Sequence, residues 1–310
     1  MKRWYALAIV FLILSVFTVG FLHSPQDGDL AISLPAQAAD MPDPSFVSFE
    51  PKLVGTEAPS LSAKGALVVD AGSGRVLHEK APDTPLLPAS TTKIMTALVS
   101  LEAYGPGDVL TVKNVNIPGQ RVKLVPGEQI TADALLYGLL VFSGNDAAEA
   151  LADNYEGGRE AFVRRMNEIA EALGLENTHF KNPTGFDHPE QVSTARDMIK
   201  LSVHAMKNPK FAEIVGTEQI TVESVDGELV HRLENLNLLL GDVEGVLGVK
   251  TGWTEAAQEN LVTLVERDGR KVFVVVLGSL DRFGETRKLI DWVYGSHEWV
   301  QVVDYPPHSL

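Results

Sequence analysis

The hydrophobic and polar positions of the chain change their period along its length, and each period predicts a different element. Two short apolar runs at residues 66–69 and 75–78 flank a turn rich in glycine, which predicts a β-hairpin. From residue 90 to residue 104 apolar side chains recur at helical spacing, and Gly105 follows, so we predict a helix that ends there. Because apolar residues cover most of its faces, we expect this helix to be buried.

The middle of the chain keeps a helical period. Two helices are predicted over residues 131–142 and 146–155, with the tight connection 143–145 between them. The next helix ends at Gly174 and carries apolar side chains at helical spacing. We assign four of these side chains to the core: Phe162, Met166, Ile169 and Leu173. A further helix is predicted to begin after Thr194.

The C-terminal third of the chain changes to a period of two. Apolar runs at 220–223 and 229–230 flank Asp226-Gly227, a sequence that favours a hairpin turn. The remaining predicted elements are strands at 246–252, 261–265 and 272–277 and a helix at 283–294. Strands at both ends with helices between them predict an α+β fold. In this fold an antiparallel sheet is built from N- and C-terminal strands, with flanking helices and a helical subdomain.

The N-terminus carries the pattern of an export signal. Lys2 and Arg3 precede an apolar run at residues 4–22 that is long enough to span a bilayer as a helix. Small residues at 36–39 resemble a peptidase cleavage site, but they lie far from the apolar run. Residues 1–26 are therefore either a signal peptide that is cleaved or a membrane anchor that is retained. In both cases the basic end stays cytoplasmic and the rest of the chain is exported.

A linker is predicted between this segment and the folded domain. Residues 27–62 are rich in proline, serine and acidic side chains and show no sustained apolar period. We therefore place one folded domain at residues 63–305 and no further domain after it.

Composition narrows the classes of function. The net charge of −15, from 26 basic and 41 acidic residues, argues against a nucleic-acid partner because like charges repel. The chain has no cysteine, which excludes thiol nucleophiles, disulfides and cysteine-rich metal sites. Its histidines show no metal-binding helical pair, and we expect neither a metal nor a cofactor. Gly248-Val249-Lys250-Thr251 lacks the glycine that a phosphate-binding loop needs directly before its lysine.

Three short motifs supply the candidate chemistry. They are Ser90-Thr91-Thr92-Lys93, Ser143-Gly144-Asn145 and Lys250-Thr251-Gly252. Ser90 and Lys93 share one helix face, and an apolar setting lowers the pKa of a lysine, so that the neutral amine becomes a base. Taken alone, the same residues also fit a simpler interpretation, in which Ser90 caps the helix and Lys93 is solvated at the surface. Asn145 likewise fits the cap of the following helix.

The motifs and their order resemble the penicillin-recognising serine acyltransferases. Their surroundings resemble the D-alanyl-D-alanine carboxypeptidases, the low-molecular-mass penicillin-binding proteins, over residues 64–294. The matching segments are residues 88–90, 143–148, 182–185, 193–197 and 248–252. Class A β-lactamases share the three motifs but usually have Ser-Asp-Asn and a Glu-x-x-Leu-Asn loop. Glu234-Asn235-Leu236-Asn237 is one residue short of that loop, so no deacylating glutamate is assigned.

The resemblance implies catalytic roles for four residues. Ser90 would attack the carbonyl of a D-Ala-D-Ala bond while Lys93 takes its proton, and Ser143 would relay a proton to the departing D-alanine. The backbone N–H groups of Ser90 and Trp253 would form the oxyanion hole, in which losing one donor typically costs about 3 kcal/mol.

The resemblance also implies the residues that bind substrate. Asn145 would bind the peptide backbone, and the Lys250-Thr251-Gly252 strand would hold the terminal carboxylate. Such a charge-assisted contact requires a free C-terminus and would explain exopeptidase selectivity.

The implied protein is a carboxypeptidase that acts on peptidoglycan stem peptides and is inhibited by β-lactams. It would be located at the extracytoplasmic face of the cell membrane, in the periplasm or in the cell wall, with residues 4–22 as its membrane attachment if they are retained. The alternatives left open are an endopeptidase on peptidoglycan cross-links, a β-lactamase and a noncatalytic wall-binding protein.

Overall fold

The computed structural model describes residues 47–303. In chain order the strands are β1 (Val47–Leu53), β2 (Gly65–Asp70), β3 (Val76–Lys80), β4 (Val109–Thr111), β5 (Gln129–Thr131), β6 (Gln219–Glu223), β7 (Val230–Glu234), β8 (Val246–Thr254), β9 (Gln258–Arg267), β10 (Arg270–Ser279) and β11 (His297–Val303). The helices are α1 (Lys93–Ala103), α2 (Ala132–Leu140), α3 (Asn145–Asn154), α4 (Gly158–Ala172), α5 (Ala195–Ala205), α6 (Pro209–Val215) and α7 (Arg282–Ser296).

Five antiparallel strands form the central sheet, in the order β3-β2-β10-β9-β8. The N-terminal strand β2 pairs with the C-terminal strand β10, with Val68 opposite Val274. The sheet therefore joins segments from the two ends of the domain, as the sequence predicts. Strand β8 is the last strand in this order, and its outer edge faces the helical part of the fold.

The sheet is buried on both faces, which explains the nearly continuous apolar run of β10. Helix α7 covers one face, where Val274 and Val276 of β10 share a buried hydrophobic cluster with Leu289 and Val293 of the helix. Helices α1 to α6 form the helical subdomain on the other face. The hydrophobic cluster between them and the sheet is the larger of the two, and it includes Val275 and other strand residues. Alternate residues of one strand thus enter two different cores.

Local signals set most of the helix starts. The Thr131 side chain accepts a hydrogen bond from the N–H of Ala134 at the start of α2, and Thr194 does the same for Asp197 in α5. Two details differ from the prediction. Gly144 is the N-cap of α3, and the Asn145 side chain does not cap the helix. Of the four side chains of α4 assigned to the core, Phe162 and Met166 are fully buried, whereas Ile169 and Leu173 pack against the core from its margin and are only partly buried.

A two-stranded ribbon joins the ends of the described chain. Strand β1 pairs antiparallel with β11, so residues 47–53 are not the featureless linker that we expected there. The paired residues are more than 240 positions apart in the sequence, and no local sequence pattern predicts their pairing. The Trp299 side chain stacks on Tyr294 with ring centroids 5.7 Å apart and donates a hydrogen bond to Oδ1 of Asp70 at 2.8 Å. The ribbon is therefore attached to both α7 and the central sheet.

The predicted export segment at 1–26 lies outside the described residues, as do linker residues 27–46 and the last two residues of the predicted domain. These expectations stay predictions. Across residues 47–303, no helix combines the length and the apolar character needed to cross a bilayer.

Candidate active site

A cleft of about 750 Å³ opens between the edge strand β8, the start of α1 and the connection between α2 and α3. All three sequence motifs contribute to it. The residues that line it include Ser90, Gly119, Gln120, Ser143, Asn145, Thr184, Phe186, Asp187, Leu236, Thr251, Gly252, Trp253, Glu259 and Arg282. The structure therefore brings together residues that are more than 150 positions apart in the sequence.

Ser90 and Lys93 form the centre of the cleft. Ser90 lies in a 3-10 turn, Ala89–Thr92, and Lys93 is the first residue of α1. The Lys93 Nζ lies 2.9 Å from Ser90 Oγ, 2.7 Å from Asn145 Oδ1 and 2.7 Å from the carbonyl oxygen of Thr184. Lys93 has no exposed surface, and neither Ser90 nor Thr92 caps the helix through its side chain. The interpretation of these residues as a cap and a solvated lysine is therefore wrong.

The three contacts suit a neutral amine. A neutral lysine has two N–H donors and one lone pair. Asn145 Oδ1 and the Thr184 carbonyl can only accept, so they take two N–H groups of the amine. The charged amine donates its third N–H to Ser90 Oγ, whereas the neutral amine directs its lone pair at the Ser90 hydroxyl. Burial lowers the pKa of Lys93 to about 7, although the charges of Asp146 and Glu149 oppose this effect. Near neutral pH a large fraction of Lys93 can therefore accept a proton from Ser90.

The loop at residues 182–186 fixes one of these contacts. Asn182 Oδ1 accepts hydrogen bonds from Thr184 Oγ1 and from the N–H of Gly185, which holds the Thr184 carbonyl towards Lys93. Gly185 has φ +90°, and a Cβ atom there would lie 1.9 Å from the carbonyl oxygen of Ala89. Only glycine lets this loop lie against the turn that carries Ser90.

Ser143 connects the helical subdomain to the sheet. Its Oγ accepts a hydrogen bond of 2.9 Å from Lys250 Nζ, which also donates to the Thr251 carbonyl. Burial, followed by the charges of Lys93 and Arg282, lowers the pKa of Lys250 well below its usual value. The sequence predicts a positive charge at this strand edge. At Lys250, however, burial favours the neutral amine over the charged form.

Asp146 attaches one wall of the cleft to the Ser143 motif. This buried carboxylate accepts hydrogen bonds from the backbone N–H groups of Val122, Lys123 and Leu124 at 2.8–3.1 Å. The Asn145 side chain adds a donor to the Pro118 carbonyl at 2.8 Å. The segment 118–124 is thereby held beside Lys93, and Asn145 is fixed with its oxygen on the amine.

Strand β8 offers its outer edge to the cleft. An unpaired strand edge can add an extended peptide as a further strand. A Cβ atom at Gly252 would lie 3.0 Å from the Pro88 carbonyl oxygen and 3.1 Å from the Ser90 nitrogen, so glycine permits the strand to approach the turn that carries Ser90. Trp253 lines the cleft on the same strand as Thr251.

Arg282 is a cleft residue that the sequence analysis did not find. It is the first residue of α7, and its Nη1 donates a hydrogen bond of 2.8 Å to the Gly252 carbonyl. Its Nε has no hydrogen-bond partner in the described part of the chain. Arginine keeps its charge at neutral pH even where burial lowers its pKa, as it does here. No local motif marks Arg282, because only the packing of α7 on the sheet brings it to β8.

A serine hydroxyl, a buried amine base and a cation beside a free strand edge define a serine acyl-transfer site on an α+β scaffold. The comparison with known families agrees with this class. The profile of the D-alanyl-D-alanine carboxypeptidases matches residues 52–280, and the chain belongs to that family. The predicted resemblance and fold class are confirmed.

Individual relatives are similar over most of the chain. The D-alanyl-D-alanine carboxypeptidase DacF of Bacillus subtilis is 34% identical over 247 residues, which are 76% of this chain and 63% of that protein. A D-alanyl-D-alanine carboxypeptidase of Streptomyces sp. strain K15 is 37% identical over 240 residues, or 71% of this chain and 82% of that protein. A D-alanyl-D-alanine endopeptidase of Pseudomonas aeruginosa is 34% identical over 241 residues, which are 75% of this chain and 77% of that protein.

A solved structure shares the fold. The crystal structure of the Streptomyces K15 DD-transpeptidase superposes with a TM-score of 0.74 at 34% identity, covering 77% of this chain and all of that one.

Proposed function

We propose that this protein is a serine-type D-Ala-D-Ala carboxypeptidase that removes the terminal D-alanine from peptidoglycan stem peptides through an acyl-enzyme. The observation that carries the proposal is the buried Lys93 amine, 2.9 Å from Ser90 Oγ, with its two N–H donors used by other acceptors. Membership of the carboxypeptidase family supports the choice of substrate.

The first half of the reaction forms the acyl-enzyme. Ser90 Oγ attacks the carbonyl carbon of the D-Ala-D-Ala bond, and its proton passes to Lys93 Nζ. The backbone N–H groups of Ser90 and Trp253 then stabilise the negative oxygen of the tetrahedral intermediate. When the C–N bond breaks, the departing amine takes a proton from Ser143, whose Oγ accepts a hydrogen bond from Lys250. Ser143 regains a proton from Lys93, which passes on the one it took from Ser90, so that Lys93 is neutral again before the second half.

The second half releases the peptide. Water attacks the ester carbonyl carbon and Lys93 takes a proton from it. When the bond between this carbon and Ser90 Oγ breaks, Lys93 returns the proton to Ser90, and the shortened peptide leaves with a new C-terminal carboxylate. A β-lactam acylates the same serine and leaves an ester that hydrolyses slowly. The protein would thus be inhibited by β-lactams.

The carboxylate of the substrate needs a cation that stays charged. Arg282 provides one beside Thr251 and Gly252, and Lys250 would gain its proton when an anion arrives next to it. The peptide backbone would extend along the β8 edge, with Asn145 on the opposite side. A free C-terminus would therefore be required.

The export signal predicted at 1–26 supports action outside the cytoplasm. We place the enzyme at the cell wall or on the outer face of the cell membrane, attached there if the segment is retained.

The test is the release of free D-alanine from a stem pentapeptide by the purified protein. We expect Ser90→Ala to abolish release, Ser73→Ala in the distant β2–β3 turn to leave it unchanged, and mass spectrometry after penicillin to place a slowly released adduct on Ser90. Failure of the wild-type protein to release D-alanine would favour a noncatalytic wall-binding role. Rapid turnover of penicillin would indicate a β-lactamase.

An endopeptidase is the second candidate, because one relative at 34% identity carries that name. The same residues would cleave a D-alanyl cross-link. Rates on a pentapeptide and on a cross-linked dimer, measured with the same preparation, separate the two activities.

A further inference from the structure

We propose that a basic groove beside the catalytic cleft binds the carboxylate-bearing part of an acidic peptide whose D-alanyl end is in the cleft. The inference rests on the proposed function and names a determinant of its substrate selectivity. The groove has a volume of about 370 Å³. Its cations are Arg121, Lys123 and Arg232, and its apolar walls include Val125, Phe142 and Val230.

The charge of the groove is opposite to that of the whole molecule. The chain carries a net charge of −15, yet the groove is lined by three cations and no carboxylate. Among residues 47–303, Arg121, Lys123 and Arg232 form no ion pair. The Arg121 guanidinium reaches only the Val115 carbonyl, at 3.5 Å. Charges without local partners are available to an anionic ligand.

The groove is built from well-connected segments. Its floor holds His231, whose Nε2 lies 2.7 Å from Glu128 Oε1, and the other oxygen of Glu128 accepts the N–H of Val125 at 2.9 Å. The nearby carboxylate is thus buried and already bonded. The β6–β7 hairpin is joined to this segment by a hydrogen bond from the Val225 N–H to the Gln129 carbonyl.

The groove and the cleft are adjacent at two places along the chain. Gln120 lines the cleft while Arg121 lines the groove, and Ser143 lines the cleft while Phe142 lines the groove. Asp146 holds the N–H of Lys123, so the shared wall is anchored to the catalytic motif. The cleft and the groove therefore lie on either side of one wall, and a peptide that occupies both must cross it.

The chemistry of the groove fits a peptide that is both acidic and partly apolar. Val125 and Val230 are 43% and 52% exposed, and they lie among the three cations. Peptidoglycan stem peptides carry free α-carboxylates away from the D-alanyl end, beside alanyl methyl groups. Arginine and lysine recognise carboxylates, whereas the valines suit the methyl groups. A short D-Ala-D-Ala peptide has nothing to place there.

The test uses the triple variant Arg121→Gln, Lys123→Gln, Arg232→Gln of the full protein and three substrates. These are a short N-acylated tripeptide ending in D-Ala-D-Ala, a stem pentapeptide with its free α-carboxylate, and the same pentapeptide with that carboxylate amidated. We expect kcat/KM for the free pentapeptide to fall about tenfold, as several partly exposed charge pairs allow. We expect less than about a twofold change for the other two substrates, and a smaller difference at high salt.

Arg164→Gln, an exposed arginine of α4, is the matched control and should change none of the three rates. Thermal unfolding of the triple variant and of the control establishes whether each fold is intact.

An equal loss on all three substrates, or no loss on any, would overturn the proposal. It would also fail if the triple variant lost only its binding to polyglycerol phosphate, since the ligand would then be a phosphate polymer. If the wild-type protein hydrolysed none of the peptides, the proposed function itself would have failed, which is a different result.

Discussion

Lys93 shows how strongly one residue depends on its surroundings. Burial removes the water that stabilises an ammonium group and lowers the pKa, while Asp146 and Glu149 on α3 raise it. The outcome near pH 7 is a balance between a large cost of desolvation and two attractive charges. Removing one of these two charges should therefore change the pH dependence of the reaction.

We expect the rate of acylation by a β-lactam to rise with pH through about 7, because the neutral form of Lys93 is the base. Asp146→Asn removes a charge that raises this pKa, so the midpoint should move to lower pH. The amplitude should also fall, because an amide has one acceptor oxygen for the four N–H groups that Asp146 binds, three of them in the segment 122–124. The measurement is the acylation rate between about pH 5 and 9.

The control is Asp83→Asn, which changes an exposed carboxylate that is hydrogen-bonded to Arg196. An unchanged midpoint in Asp146→Asn would contradict this account.

Arg282 should matter for substrates with a free C-terminus. For Arg282→Gln we expect kcat/KM on a D-Ala-D-Ala peptide to fall about 10- to 100-fold, since a charged hydrogen bond is worth about 1.5–3 kcal/mol. The effect should be mainly in KM. Steady-state kinetics on the free peptide and on its C-terminal amide provide the test. The variant should hydrolyse the amide as poorly as the wild-type protein does, and a large further loss on the amide would show that Arg282 acts elsewhere.

At the scale of elements, close approach between the loop 182–186 and the 3-10 turn Ala89–Thr92 sets the position of Ser90, the proposed nucleophile. The sequence predicts a helix from residue 90, and the structure instead starts α1 at Lys93, after a turn in which Ala89 has φ +47°. A local pattern cannot report this difference, since the loop that packs on the turn is about 90 residues away.

Gly185→Ala tests that contact. The added methyl group would overlap the Ala89 carbonyl, so we expect a loss of about 2–4 kcal/mol in the free energy of unfolding and slower acylation of Ser90. Chemical denaturation and β-lactam acylation rates measure the two effects. Gly227→Ala is the matched control, because Gly227 also has positive φ but no atom within 4 Å of the added carbon. It should cost about 1–2 kcal/mol and leave acylation unchanged. Equal effects of both substitutions on acylation would show that the contact does not position Ser90.

At the scale of the whole molecule, the β1–β11 ribbon links the ends of the described chain to the sheet. Its main polar attachment is the Trp299 indole on the buried Asp70 carboxylate. No residue of the ribbon lines the catalytic cleft. A substitution in the ribbon should therefore change the free energy of unfolding without changing the rate of the reaction in the cleft.

For Trp299→Phe we expect the free energy of unfolding to fall by about 1–3 kcal/mol, because Asp70 loses a donor while an aromatic ring remains. The rate of Ser90 acylation should stay the same. Denaturant unfolding and acylation rates are the measurements, and Val300→Ala on the same strand should change stability by less than about 0.5 kcal/mol. A slower acylation rate in Trp299→Phe would show that the ribbon is coupled to the cleft.

The sequence by itself determined the elements and the chemical parts of the site. Periodicity and turn residues specify a strand or a helix within a few positions, which is why the hairpin after residue 65 and helices α2 to α5 were predictable. The spacing of Ser90 and Lys93 places the two side chains next to each other, because residues three apart are neighbours in an α-helix and also in the 3-10 turn that the structure has here.

Tertiary structure alone decided which distant groups meet. The Thr184 carbonyl on Lys93, Lys250 on Ser143, Arg282 on Gly252 and the pairing of β1 with β11 each join segments separated by 30 to more than 240 residues. Burial, and with it the pKa of Lys93, also exists only once the sheet and the helical subdomain exclude water together. Local patterns encode neither long-range contact nor desolvation, because both are properties of the packed core.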